Sequence, residues 1–190
     1  MILLNEMGVE MRKVLGISFF FVGLLMFATS GTAEISIKAF AGVWEGNAVS
    51  RSATSVTFPI TSRDLDVEIR PSSDGGFSIV WRTLQRQKGS PNAPETVEKE
   101  TTRIYMPSRD GKIWTAKNMD YPFDGGTVSW AALEGQALVV YSMAVRADGG
   151  YDMLIYRRIL TGLNMKLEFK ALRNGEVRRT ASGTLVKAGN

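Results

Sequence analysis

From Leu163 to Ala171 apolar and polar residues alternate without a break. Leu163, Met165, Leu167, Phe169 and Ala171 fall on one side, and Asn164, Lys166, Glu168 and Lys170 on the other. A period of two is the mark of a strand with one dry and one wet face. Leu65, Val67 and Ile69 alternate with Asp64, Asp66, Glu68 and Arg70, and Phe77, Ile79 and Trp81 repeat the pattern. Between those two runs lies PSSDGG, from Pro71 to Gly76, whose glycines admit positive φ and whose Ser and Asp bond locally to backbone. The same punctuation recurs at Asp110-Gly111, Asp124-Gly125-Gly126, Gly135, Asp148-Gly149-Gly150 and Asn174-Gly175, the last being a strong hairpin signal. The runs predict about ten strands, over 41–50, 63–70, 77–87, 96–106, 112–117, 127–133, 136–146, 151–160, 163–172 and 176–187. Short turns make neighbouring strands antiparallel. No part of 34–190 sustains a helical period. The expected fold is all-β, an antiparallel up-and-down barrel of about 8–10 strands, because closure removes the exposed edges that a meander leaves. Segments 51–62 and 88–95 are the two expected long loops.

The N-terminal segment follows a different rule. From Met11 it reads MRKVLGISFFFVGLLMFATSGTA: Arg12 and Lys13, then an apolar core from Val14 to Phe27, then small residues at Gly31-Thr32-Ala33. That is the layout of a secretory signal peptide. The apolar run is shorter than the roughly 17–25 residues that span a bilayer, and Gly16 and Gly23 interrupt it, so cleavage is expected over a retained anchor. The expected division is a signal peptide over 1–33, with Met11 the true start, and one domain over 34–190. The resulting location is periplasmic or secreted, with no stable membrane span after processing.

Composition narrows the chemistry. Arg12 and Lys13 cancel Glu6 and Glu10, so removing the leader leaves the formal charge of +4 unchanged. The charges are interspersed, as in Val97-Glu98-Lys99-Glu100, and no basic block suggests nucleic acid. The chain has no cysteine and no histidine. It therefore has no disulfide, no lipid-modified cysteine, no common zinc site and no haem held by imidazole or thiolate. Ser-His-Asp and Cys-His catalysis are excluded as well. No cofactor and no metal are expected.

The first strand carries Phe40-Ala41-Gly42-Val43-Trp44-Glu45-Gly46. A Gly-x-Trp at this place resembles the opening of the lipocalins and the wider calycin barrels. The resemblance implies that Trp44 plugs the closed end and that an Arg of a late strand packs across its ring. Arg179 is the expected partner, on a face with Val177, Ala181 and Leu185, and Arg178 is the alternative. An indole so placed removes roughly 150–250 Å² from water, and a guanidinium over it adds about 0.5–2 kcal/mol. The chain departs from the lipocalin pattern in having nearer ten strands than eight and no helix after the last strand. Segment 51–62 has no helical period, unlike the intracellular fatty-acid-binding branch with its two inserted helices.

A barrel of this size either packs its interior or holds one small ligand. The candidate interior residues are Trp44, Trp81, Tyr105, Trp130, Tyr141, Met143, Met153 and Phe169, aromatic or adaptable groups suited to an apolar molecule. Packing of the core or outer surface is the competing role for each. Arg103 and Arg157 interrupt apolar faces and could meet a ligand carboxylate, but such a residue more often pairs with a neighbouring Glu or sits on the wet face. Asp120, Asp124, Asp148 and Asp152 lie beside turns, where turn chemistry explains them better than acid–base catalysis. The expected function is non-catalytic binding of a small, largely apolar molecule inside the barrel. The alternatives are an envelope interaction module with a packed core, and an isomerase or hydrolase using paired carboxylates. An outer-membrane barrel is disfavoured by short strands and the charged face of 63–70. Oligomeric state carries no expectation.

Overall fold

The computed structural model describes residues 35–57, 59–86 and 95–188. The expected leader, 1–33, and the expected loop 88–95, apart from Glu95, lie outside the described residues. Ten strands follow in order: β1 Gly42–Ser52, β2 Ile60–Pro71, β3 Phe77–Arg86, β4 Glu95–Pro107, β5 Ile113–Ala116, β6 Thr127–Glu134, β7 Ala137–Val145, β8 Tyr151–Thr161, β9 Asn164–Arg173 and β10 Glu176–Lys187. Each pairs antiparallel with the next, and β1 pairs with β10, so the sheet closes. Short 3₁₀ turns occupy Ile37–Phe40 and Pro122–Asp124.

The turns behave as their residues require. Asn174 and Gly175 both adopt positive φ, 51° and 84°, the left-handed pair that suits a tight two-residue hairpin. The expected loop 51–62 is shorter than its composition suggested. Ser50 pairs with Thr61 and Arg51 with Ile60, and the Ser52 amide donates to the Pro59 carbonyl at 2.8 Å. Ile60 and Thr61 are β-branched and extend β2 into that segment.

Closure depends on two inward-facing glycines at the β1–β10 seam. A Cβ on Gly183 would strike the Asn47 carbonyl oxygen and come within 2.8 Å of the Ala48 Cα; one on Gly46 would strike the Thr184 carbonyl oxygen. Only glycine lets the two backbones approach this closely.

The core fills one end of the barrel. Phe40, Trp44, Ile69, Phe77, Ile79 and Tyr105 are all buried there, with Trp114, Leu138, Met165 and Leu185 around them. The Phe77 ring stacks on Tyr105 at 4.9 Å and meets the edge of Trp114 at 5.6 Å. Such contacts add about 0.5–1.5 kcal/mol each beyond burial. Trp44 donates its indole N–H to the Phe40 carbonyl at 2.9 Å, tying the 3₁₀ turn across this end as a plug.

The expected cation over Trp44 needs correction. Trp44 pairs with Lys187, whose Nζ lies 5.6 Å from the ring centroid. Arg179 faces inward, but it pairs with Ser52, eight residues along β1. A β-bulge between Val177 and Arg179 also turns Val177 to the opposite face, where it is 47% exposed.

Candidate functional site

Beyond the packed end, the interior opens into a cavity of about 470 Å³. Its floor adjoins the core on the strands that line it. On β4, Tyr105 is core and Arg103 lines the cavity; on β8, Leu160 packs against the core while Arg158 and Tyr156 line the cavity. Trp81 of β3, Leu65 of β2, and Leu167 and Phe169 of β9 complete an apolar wall. Trp81 lies 5.5 Å from Tyr156, and Tyr156 lies 4.8 Å from Phe169, so three rings form a continuous aromatic strip.

Two guanidiniums are set into that strip. Arg103 lies 5.6 Å and Arg158 5.7 Å from the Trp81 ring centroid, and Arg158 lies 5.6 Å from that of Tyr156. Arg103 is held by neutral partners. Its Nη1 donates to Ser129 Oγ at 2.7 Å and to Ser142 Oγ at 3.0 Å. Ser129 and Ser142 are register partners on β6 and β7, and both are buried. Tyr105 donates to the same Ser129 oxygen at 2.9 Å, and Ser129 passes its own proton to the Tyr141 carbonyl at 2.6 Å. The network fixes the side chain of Arg103 without neutralising it.

Arg158 is the more telling residue. It is 1% exposed, and among the described residues neither its Nε nor its Nη1 has a hydrogen-bond partner. Loss of hydration pushes its guanidinium down to about 10, so it remains a cation at neutral pH. Burial also raises the Tyr156 hydroxyl above its ordinary value, so that group stays a neutral donor. Buried charges are ordinarily paired. Among the described residues the cavity lining holds Arg63, Lys99, Arg103, Arg158 and Arg179, and no carboxylate.

The expected site residues divide between two faces. Trp81 and Phe169 line the cavity, and so does Arg103. Trp44 and Tyr105 are core beneath it. Trp130, Tyr141, Met143 and Met153, expected inside, lie on the outer face. Their neighbours in sequence, Ala131, Val140, Ser142 and Leu154, point to the core, to Arg103 or to the cavity, and alternation sends the others outward. There Trp130 stacks on Tyr141 at 5.0 Å. The Tyr141 hydroxyl donates to Glu134 at 2.6 Å, and burial with this bond raises its pKa to about 12. Arg157 is outside too, 2.8 Å from the Glu134 carboxylate and 3.9 Å from that of Glu168. Asp152 binds Arg173 at 2.9 Å, and Asp148 binds Arg146 at 3.0 Å. Neither lines the cavity, nor does Asp120 or Asp124, so the paired-carboxylate arrangement is not formed there.

Tyr156 and Arg158 were missed because β8, YDMLIYRRILT, is apolar on both faces and carries adjacent arginines. Periodicity alone cannot choose its phase. The pairing of Arg158 with Leu138 and Leu167, both buried, is what fixes it.

Fold and cavity together define a calycin-like barrel, antiparallel, up-and-down and ten-stranded. No protein-family model and no curated protein matches the chain. Among solved structures it is similar to Rv2717c from M. tuberculosis, with a TM-score of 0.51 and 13% identity over 80% of this chain and 97% of that one. It is also similar to apo lipid binding protein 8 of Caenorhabditis elegans, with a TM-score of 0.45 and 11% identity over 82% of this chain and all of that one. Likeness at such identities is a likeness of fold.

Proposed function

We propose that this protein binds, without transforming it, a small molecule with an apolar body and an acid group, held inside the barrel. The observation that carries the reading is Arg158, a buried guanidinium with no counter-ion among the described residues, set in an aromatic wall and facing a cavity. A carboxylate entering there would gain charge-assisted bonds in a site of low dielectric constant. The aromatic strip and Leu167 would cover the rest of the molecule, as in pockets of about 300–1,000 Å³. The apolar leader supports export, and binding would then take place in the periplasm or outside the cell.

Native mass spectrometry of the purified protein tests the reading. An adduct that dissociates on unfolding, ionises as an acid and is absent from Arg158→Met is the expected result. Protein that carries nothing and takes up no apolar acid on titration would refute it. Edman sequencing of the mature N-terminus tests export, and a start within a few residues of Glu34 is expected.

A second reading, an interaction module of the envelope, draws on the outer surface. Val128, Met143, Met153, Leu172 and Val177 form one unbroken cross-strand row on the outside of β6–β10. It predicts specific co-purification of a partner protein that a Met143→Glu/Met153→Glu double variant abolishes.

A further inference from the structure

The cations of the cavity are not grouped at one place. Arg103 and Arg158 lie on the floor, directly past the packed core. Lys99, paired with Thr83, and Arg179, paired with Ser52, lie toward the opening. We propose that the ligand is a diacid, with one acid group on Arg103 and Arg158 and a second, separated by an apolar body, on Lys99 and Arg179. The proposal rests on the reading that the barrel binds an acid in its interior.

Register supplies the spacing twice over. Lys99 and Arg103 are four residues apart on β4 and both line the cavity. Arg158 shares a cross-strand row with Leu167 and Gly183, and Arg179 is four residues further toward the mouth on β10 with no register shift between. Four residues of strand cover roughly 13 Å, and a strand tilt of about 35–45° leaves roughly 10 Å along the barrel axis. The row from Gly183 to Arg158 is itself tilted toward the core, so this second route places Arg158 and Arg179 at least as far apart as Arg103 and Lys99. What lies in the gap is largely apolar: Trp81, Tyr156, Phe169 and Ala181, with Leu154 and Leu167, and Thr101 between Lys99 and Arg103.

Charge balance points the same way. One carboxylate on the floor leaves the lining still strongly positive. Among the described residues no carboxylate is paired with Lys99 or Arg179. On β2, Asp64 and Asp66 alternate with the cavity-lining Arg63, Leu65 and Val67 and so belong to the outer face. A second acid at the mouth offsets this excess. Extended decanedioate has about the required reach.

The test compares decanedioate with its monomethyl ester, which keeps the length and body but loses one charge. Isothermal titration at neutral pH and low salt measures both against the purified protein. The hydrophobic effect alone favours the ester. The diacid is expected to bind at least tenfold more tightly. Lys99→Gln/Arg179→Gln should erase that difference by weakening the diacid far more than the ester, and each single variant should erase part of it. Both side chains are exposed, and circular dichroism checks that the variants fold. Arg158→Met should weaken both compounds. An ester that binds as tightly as the diacid overturns the proposal. So does a mouth variant that slows association of both compounds without changing their ratio, which would make Lys99 and Arg179 steering charges only. Binding of the ester alone, or recovery of a native monoacid, overturns the diacid while the interior-binding reading stands. Failure of the protein to take up any acid ends both.

Discussion

Arg158→Met should stabilise the empty protein while disabling it. The guanidinium is fully buried, and its depression from the ordinary guanidinium value to about 10 corresponds to about 3 kcal/mol at 1.36 kcal/mol per pKa unit. That cost is partly offset by the rings of Trp81 and Tyr156, at 5.7 and 5.6 Å, each contributing about 0.5–1 kcal/mol or somewhat more. Met has a similar length, packs well against aromatic rings and needs no hydrogen bonds. The expected net gain is about 1–2 kcal/mol, in keeping with the replacement of buried charges by hydrophobes. For a chain of this size that is a rise in Tm of roughly 3–6 °C. The assay is thermal and urea unfolding of both proteins after refolding from denaturant, which removes bound molecules. Added apolar acid should then raise the Tm of the wild type and not that of the variant, by mass action on the native state. A variant less stable than the empty wild type by 1 kcal/mol or more would refute the reasoning. It would mean that the guanidinium is already compensated without a ligand and calls for no acid.

Two further perturbations test the frame around the cavity. Gly183→Ala places a methyl against the Asn47 carbonyl and the Ala48 backbone at the closure seam, and should cost about 1–3 kcal/mol in urea unfolding as overpacking does; a loss below about 0.5 kcal/mol would mean that the seam adjusts freely. Asp152 is held below its ordinary pKa chiefly by its hydrogen bond to Arg173, with Arg146 adding to the effect. A depressed carboxylate contributes stability above its unfolded value of 3.8 and loses it as pH falls through the folded value, so Tm of the wild type should fall below about pH 4 more steeply than that of Asp152→Asn, and parallel curves would show the pair to be inert.

What the sequence reveals about this molecule depends on how unequal the two faces of each strand are. On β2 the outer side is Asp64, Asp66 and Glu68 and the inner side Leu65, Val67 and Ile69, so phase, strand and burial are all readable from one line of text. The same holds for β3 and β9, whose Trp81 and Phe169 do face the cavity. On β6, β7 and β8 both faces are apolar, because the outside of the barrel there carries its own row of Val128, Met143 and Met153. A one-residue slip then exchanges inside for outside, and the pattern of these strands does not show that Trp130, Tyr141, Met143 and Met153 face outward. Register between distant strands is harder still. Whether Lys187 or Arg179 sits over Trp44 depends on the stagger accumulated around ten strands and on a bulge at one of them, and no local pattern encodes that sum.

The cationic floor was hidden for a related reason. In a sequence, an arginine within an apolar run reads as a wet-face residue, because most are paired or solvated. Arg157 obeys that rule, reaching Glu134 and Glu168 on the outer surface. Its neighbour Arg158 breaks it, and nothing in the dipeptide says which of the two will do so. The barrel decides: Leu138 and Leu167 flank Arg158 in the sheet and turn it inward, where neither Ser129 nor Ser142 bonds to it, since both accept from Arg103. A fold stabilised only by its own contacts would gain by placing an apolar side chain at this position. On the proposed function, the free energy lost by leaving the guanidinium buried in the empty barrel would be recovered when an anion enters, and this coupling of stability to occupancy is the physical reason for proposing a function in the cavity.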